Sequence, residues 1–241
     1  MLKHFLRRIE PILYRKISIL SETQAQILLH SLTTTPKTVL SLHIGMSVRP
    51  RTVAPLLHHC PRLVNFTLYG GGNCLSQFRI IVNALNSLMH LRYLSVDPAW
   101  LFRMNFVYLP DTSAFHSVTH LDLTTHWALD TIAIGFKHLP HLTHLSITWK
   151  MSRMATHDLL ALLQRKNFRL ILLWLDEIDG QARVIEKLHN RKLNNPRVVL
   201  LRRASNWPAE LSGGFWLHAE CIIAWRKENG SELHYACSEC D

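Results

Sequence analysis

The side chains best suited to metal chemistry lie near the C-terminus, where H-x-x-C is followed by C-x-x-C. The candidate ligands are His218, Cys221, His234, Cys237 and Cys240. Paired thiolates at this spacing can chelate Zn²⁺, and a structural zinc site needs four such ligands. His218 and Cys221 also lie on a predicted helix, where both could pack inward, and a free cysteine is often a buried residue. We therefore predict no metal and no cofactor, with zinc as the alternative.

Two further histidines occupy the same position in two nearly identical segments. These are T-H-L-D-L-T at 119–124 and T-H-L-S-I-T at 143–148, which hold His120 and His144. Two imidazoles on adjacent strands could hold a metal, but no carboxylate or thiolate joins them at a fixed offset. The simpler interpretation is a pair of surface residues in a histidine-rich protein.

Catalysis has little support in the sequence. The G-G-G at 70–72 follows a predicted strand, yet it lacks the Lys-Ser/Thr or G-x-G-x-x-G spacing that a phosphate cradle requires. Serine, histidine and aspartate are plentiful, but no spacing aligns a nucleophile with a base. We predict that the protein is not an enzyme.

The charge balance favours contact with anions. The chain has 27 Lys plus Arg against 17 Asp plus Glu, a formal net charge of +10. Seven cations cluster between residues 183 and 203 against one acid, Glu186. This basic face could bind nucleic acid or another polyanion through phosphates. No recognition motif accompanies it, so a solvated helix face is the other interpretation.

An internal repeat organises the chain. The template is an apolar residue, two others, an apolar residue, one other and an apolar residue. It starts at Val39, Leu63, Leu91, Val118, Leu142 and Leu170, and a weaker copy with Arg203 in its third slot starts at Val198. The successive spacings are 24, 28, 27, 24, 28 and 28 residues. The alternation in each copy predicts a strand with one buried face.

Between the strands the apolar period becomes helical. The pattern is clear over residues 76–90, 156–166 and 181–192. The repeating unit is therefore predicted to be a strand, a turn and a helix.

This unit resembles the leucine-rich repeat, whose period and L-x-x-L-x-L core match it over about residues 39–205. The resemblance implies an α/β leucine-rich-repeat solenoid of about seven irregular repeats, with a parallel sheet on its concave side. We expect a helical capping segment at 1–34, the repeats at 35–206, and a capping helix and tail at 207–241. The family's usual Asn or Cys after the core is replaced in most copies, so the turns should be closed differently.

Three segments are similar to fungal F-box-type leucine-rich-repeat proteins. They are E-P-I-L-Y-R-K-I-S-I near residue 10, turns such as C-P-R-L-V-N-F-T-L, and F-W-L-H-A-E-C-I-I-A-W-R-K at 215–227. Fewer than 40 residues precede the first repeat, so we expect no F-box in this sequence. The resemblance implies a relative of ubiquitin-ligase substrate receptors that lacks the adaptor-binding unit.

The side chains between the core positions should line the concave side of the sheet. On this basis we predict a non-catalytic protein–protein interaction module that binds a partner protein through these rows. The candidate partner-binding residues are Tyr69, Tyr93, Asp97, His120, Asp122, His144, Trp174, Asp176 and Arg202. The later rows expose Leu172, Trp174 and Leu200, unless the C-terminal segment with Trp207, Phe215 and Trp216 covers them.

The remaining features concern the cell compartment. Five cysteines, an odd number spread over the chain, do not resemble a disulfide framework. No apolar run approaches the length of a membrane span, and the basic N-terminus is interrupted by charges, although it could pass as an organelle presequence. We predict a cytoplasmic or nuclear monomer with no membrane association.

Overall fold

A computed structural model of the protein describes residues 14–34, 38–69, 78–96, 113–123, 139–148, 156–175, 181–190, 193, 195–202 and 214–230. The fold is α/β, with parallel strands that alternate with helices along the chain. The chain divides into two compact units, Met1–Asn105 with Pro110–Val118, and Phe106–Leu109 with Thr119–Asp241.

In the first unit, four strands pair in chain order and run parallel. They are β1 (Lys16–Ser21), β2 (Ser41–Ser47), β3 (Asn65–Leu68) and β4 (Tyr93–Val96). The helices are α1 (Glu22–Thr34), α2 (Pro50–His58), α3 (Phe78–Leu85) and the single turn α4 (Ser113–His116). Parallel neighbours need a crossover connection, which these helices supply. Neighbouring helices pack on one another, α1 on α2 and α2 on α3.

The second unit repeats the arrangement with β5 to β8, which also pair in order and in parallel. The strands are β5 (His120–Leu123), β6 (His144–Thr148), β7 (Leu170–Leu175) and β8 (Val198–Arg202). The helices are α5 (Thr156–Gln164), α6 (Gln181–Asn190) and the longer α7 (Gly214–Asn229).

The same turn precedes the strands of both units. The first apolar residue of the template donates its N–H to the carbonyl three residues earlier, as Leu63 does to Cys60 and Leu142 does to Leu139. The carbonyl just before a strand then accepts two N–H groups from the next segment. Thr119, for example, accepts from both Thr143 and His144. Because both lone pairs of the carbonyl are used, this contact fixes where each strand starts against its neighbour.

The apolar template forms the core of both units, except that Leu170 lies on the opposite side of the sheet, beside His144. Every template residue in the six copies from Val39 to Leu175 is at most 2% exposed. In the first unit the register places Leu42 opposite Phe66 and Phe66 opposite Leu94, as predicted. Burial of each such side chain stabilises the fold by about 1.5–3 kcal/mol relative to exposure. The predicted burial of the template residues is confirmed, but burial is not limited to that side, since Thr67, Ser95 and Ser146 on the other side are buried as well.

The N-terminal segment differs from its prediction as a purely helical cap. Before α1 it forms β1, which pairs with β2 through Ile17 opposite Leu42 and Ile19 opposite Ile44. The register shifts after Ile19, and there the backbone of Leu20 approaches Gly45. A Cβ at Gly45 would lie 3.3 Å from the Leu20 Cα, so glycine permits this close approach. The segment is a strand–helix unit like those that follow it.

Strand β7 is displaced by two residues from its predicted register. Leu145 pairs with Ile171, and Ile147 pairs with Leu173, whereas the template predicts Leu145 beside Leu173. The N–H of Phe168 closes the turn, so Phe168 holds the slot predicted for Leu170. The run L-I-L-L-W-L contains no polar residue, and all six residues are buried. Without alternation, the sequence does not mark the register of the strand.

Strand β8 is displaced by one residue, which exchanges its two faces. Leu173 pairs with Leu200, and Leu175 pairs with Arg202. The prediction that Leu201 fills a core slot beside Leu173 is therefore wrong, and Arg203 lies outside the described residues. The cause is again an apolar run, V-V-L-L, in which the alternation is absent.

The slots in which the repeat family carries Asn or Cys lie outside the described residues, apart from Ser47. The different closure of those turns stays a prediction.

Candidate functional site

The most elaborate polar arrangement among the described residues lies on one side of β5, β6 and β7. Alternate residues of these strands point away from the core, and we call this side the covered face. It comprises His120, Asp122, His144, Ser146, Leu170, Leu172 and Trp174.

Two imidazoles are stacked at one end of the covered face. His120 lies opposite His144 in the register, and their ring centroids are 4.0 Å apart with the planes 6° from parallel. Each Nδ1 contacts the hydroxyl of the preceding threonine, at 2.9 Å for Thr119 and 2.7 Å for Thr143. The predicted adjacency of the two histidines is confirmed, and both rings are held by their own strands.

A chain of hydrogen bonds crosses the same face beside the histidines. The Trp174 Nε1–H donates to Ser146 Oγ at 2.7 Å, and Ser146 Oγ donates to Asp122 Oδ1 at 2.6 Å. Ser146 is completely buried and Asp122 is 7% exposed. The three polar groups thus find hydrogen-bond partners on neighbouring strands of the sheet, as buried polar groups generally do.

Helix α7 lies on this face and buries it. The Trp216 ring stands nearly perpendicular to both imidazoles and lies beside their edges, with centroid distances of 5.4 Å to His120 and 5.5 Å to His144. Phe215 packs in a T-shaped arrangement against Trp174 at 5.6 Å. All three distances lie in the range of favourable aromatic pairs.

One hydrogen bond connects the helix to the histidines. Glu220 Oε1 lies 3.0 Å from His144 Nε2, and the carboxylate is 46% exposed. The carboxylate of Glu220 can only accept, so His144 Nε2 carries the proton of this contact. The Thr143 hydroxyl donates to the Thr119 carbonyl at 3.0 Å and lies 2.7 Å from His144 Nδ1.

Burial under α7 depresses the pKa of both histidines. Burial first, and then repulsion from Arg169 and from His144 in its protonated form, lower the pKa of His120 from 6.5 to about 3. The pKa of His144 is also lowered by burial, although its hydrogen bond to Glu220 raises it in part. Desolvation disfavours the charged imidazolium, so the covered face holds two neutral rings.

The far end of α7 carries a buried cation. Arg226 is 3% exposed, and its Nη1 donates to the carbonyls of Val198 at 2.9 Å and Pro196 at 3.3 Å. Its Nε and Nη2 have no hydrogen-bond partner among the residues that the structure describes. Burial lowers the pKa of the guanidinium to about 10.

The corresponding side of the first unit presents aromatic and polar side chains, and we call it the first-unit face. It comprises Ser41, His43, Asn65, Thr67, Tyr69, Tyr93 and Ser95. Tyr69 and Tyr93 are half-buried, and the Tyr69 ring lies 5.0 Å from that of His43. Two of the predicted partner-binding residues are therefore partly accessible here.

The other predicted binding residues have different outcomes. Of the two alternatives for Trp174, the structure shows the covered one, since Trp174 is 8% exposed beneath Phe215. Arg202 lies opposite Leu175 rather than in the row of Trp174, because β8 is displaced by one residue. Asp97 and Asp176 lie outside the described residues.

Glu220 and Arg226 are site residues that the sequence analysis did not identify. The signal for both was the segment F-W-L-H-A-E-C-I-I-A-W-R-K, in which they follow the aromatic pair at helical spacing. Their partners lie far away in sequence, so periodicity alone could not assign them a role.

The arrangement is unsuited to nucleophilic catalysis. Ser146 is completely buried and gives its proton to Asp122. The nearest imidazole on the same strand, His144, has its two nitrogens directed to Thr143 and Glu220. A serine nucleophile needs a base within hydrogen-bond reach and an open approach for the substrate.

No group of three or more His, Cys, Asp or Glu residues that could hold a metal occurs in the part of the chain that the structure describes. Cys221 is exposed on α7. The other predicted zinc ligands after it, His234, Cys237 and Cys240, lie outside that part.

The basic stretch is partly engaged in the fold. Arg197 donates from Nη1 to the Phe168 carbonyl at 2.8 Å and from Nη2 to the Leu163 carbonyl. Arg183 is exposed and Lys187 is half-buried on α6. At least one of the seven cations thus has a structural role.

Across the described ranges, the helices are too short or too polar to cross a bilayer. No protein-family model matches the sequence, and no curated protein matches it significantly.

Proposed function

We propose that the protein is a non-catalytic protein-interaction module that binds a partner protein through its strand faces. The observation that carries this proposal is that one strand face already holds a protein helix. The covered face binds α7 through aromatic contacts and the hydrogen bond of Glu220 with His144. Buried aromatic anchors with a polar contact beside them are typical of protein interfaces.

We further propose that the architecture is a leucine-rich-repeat solenoid. The repeated turn, the parallel strands and the buried template support this proposal. The proposed kinship with F-box-type substrate receptors depends on the sequence resemblance alone. Under this proposal, the protein shares a target with such receptors.

The first-unit face supplies the accessible part of the proposed binding surface. Tyr69 and Tyr93 are half-buried, so each is held in place and still offers part of its ring. Tyrosines placed in this way contribute large contact areas at a small entropy cost. We propose that they are the main anchors for the partner.

Affinity capture from lysate of the source cells with immobilised full-length protein tests this function. The Tyr69→Ala/Tyr93→Ala double variant should lose most of the captured partner, because alanine removes both anchors. Arg62→Ala, a substitution of an exposed residue in the turn before β3, is the control and should retain it. Equal capture by both variants would contradict the proposal for this face.

Polyanion binding through the basic face is the alternative. Arg197 is bonded to three acceptors within its own unit, the carbonyls of Phe168 and Leu163 and the side chain of Asn195. It is therefore not available to a phosphate. Treatment of the captured material with nuclease distinguishes protein binding from nucleic-acid binding, since only a complex bridged by nucleic acid would dissociate.

A further inference from the structure

The hydrogen bonds of the covered face are made largely within the sheet. Trp174 donates to Ser146 and Ser146 donates to Asp122, while Thr119 and Thr143 hold the two imidazoles. Glu220 connects α7 to β6 through its hydrogen bond with His144 Nε2. The face therefore keeps its internal hydrogen bonds if α7 leaves.

The packing of helix α7 includes an unfavourable contribution to stability. Arg226 is buried with two nitrogens that have no partner among the described residues, and a buried donor without a partner is destabilising. Release of the helix would hydrate this guanidinium. The contacts that keep α7 in place include the packing of Phe215 and Trp216, the hydrogen bond of Glu220 with His144, and the two hydrogen bonds of Arg226 Nη1 to the carbonyls of Val198 and Pro196.

We propose that the covered face is a docking site for an amphipathic helix of a partner protein, and that α7 occupies this site until the partner helix displaces it. The inference rests on the proposed protein-binding function and specifies the partner. The partner helix presents two adjacent aromatic residues and, one turn further along, a carboxylate. One aromatic residue takes the place of Phe215 against Trp174. The other takes the place of Trp216 beside the stacked imidazoles.

The chemistry of the face determines this partner. An aromatic ring perpendicular to the stacked imidazoles packs against the edges of both, and a second aromatic ring forms a T-shaped pair with Trp174. A carboxylate accepts the Nε2 proton of His144, as Glu220 does at 3.0 Å. A helix with a basic residue at that position would leave the Nε2–H without an acceptor and would be rejected.

Hydrogen–deuterium exchange of the full-length wild-type protein tests whether α7 can leave. The amides of α7 should exchange at least about tenfold faster than the slowest amides of β5 to β7, because α7 opens while the sheet stays folded. If the amides of α7 exchange no faster than those of the strands, the helix leaves only when the unit unfolds, and the proposal is overturned.

Binding of a synthetic peptide spanning residues 214–230 tests the site directly. The full-length Phe215→Ala/Trp216→Ala variant should bind this peptide at least about tenfold more tightly than wild type does, because its own helix competes less. Glu220→Gln is a milder variant that retains both aromatic anchors, and it should bind the peptide about two- to threefold more tightly. Leu217→Ala, at a residue 65% exposed on the outer side of α7, is the control and should match wild type.

The outcomes separate this inference from the proposed function. Equal peptide affinity of Glu220→Gln and wild type would overturn the inference, even if the double variant fails to fold. If two copies of the protein exchange α7 and form a dimer as the concentration rises, the helix on the covered face comes from a second copy. This result would also overturn the inference. Loss of capture in the Tyr69→Ala/Tyr93→Ala variant concerns the first-unit face and leaves the peptide result unaffected.

Discussion

At the scale of single residues, the covered face shows how a sheet can bury polar side chains. Ser146 has no exposure, yet it accepts one hydrogen bond from Trp174 and donates one to Asp122. A buried polar group costs little when its partners are present and much when one is removed. These residues are therefore expected to influence stability more strongly than their size indicates.

Ser146→Ala should destabilise the protein by about 1–3 kcal/mol, because the Trp174 Nε1–H and the Asp122 carboxylate both lose a partner. Urea denaturation measures the free energy of unfolding. Ser18→Ala, on the exposed side of β1, is the control and should change it by less than about 0.5 kcal/mol. Equal effects of the two substitutions would show that the hydrogen-bond chain is not formed.

His120 should make the stability of the second unit depend on pH. Burial lowers the pKa of His120 to about 3 from its ordinary value of 6.5, so the unfolded chain binds protons that the folded chain does not. The contribution of His120 is complete above pH 6.5 and is lost as the pH falls from 6.5 towards 3. The groups that face the imidazole pair are Glu220 of α7 and Arg169 before β7.

Urea denaturation between pH 7.5 and 5 measures this effect. His120→Gln should reduce the loss of stability on acidification, whereas His189→Gln, at an exposed residue of α6, should retain it. An unchanged slope in His120→Gln would contradict the burial of a neutral ring under α7.

At the scale of elements, the sequence predicted where strands occur better than how they align. The template located Leu42, Phe66 and Leu94 correctly because polar residues separate the apolar ones. It misplaced β7 and β8, whose apolar runs carry no alternation. It omitted β1, although Ile17 and Ile19 follow the same pattern.

The contacts of α7 with the covered face could not be predicted from the pattern. They connect residues separated by 76 positions, as His144 and Glu220 are. Periodicity reports which side of an element is buried, but it does not report which element covers that side.

The turn between α6 and β8 depends on Arg197. Arg197→Ala should destabilise the protein by about 2–3 kcal/mol, because the carbonyls of Phe168 and Leu163 lose a charged donor. Arg197→Lys should recover only part of this loss, since lysine lacks the planar fork. Thermal unfolding measures the effect. Arg183→Ala, on the exposed side of α6, is the control, and a similar loss there would contradict a structural role specific to Arg197.

At the scale of the whole molecule, the chain builds two α/β units from one repeated strand and helix pattern. The sequence predicted this pattern and the burial of its template. In each unit the strands leave one side free of the core, and in the second unit α7 occupies that side. The proposed function depends on the ability of such a face to bind a protein helix.

The most direct test of this account is a nuclear Overhauser measurement between ring protons in the full-length protein. The indole protons of Trp216 should show contacts with the imidazole protons of both His120 and His144, since the ring centroids lie 5.4 and 5.5 Å apart. Such contacts would place α7 on the covered face. Contacts of the Trp216 indole with other residues only would show that the helix lies elsewhere and would contradict the account.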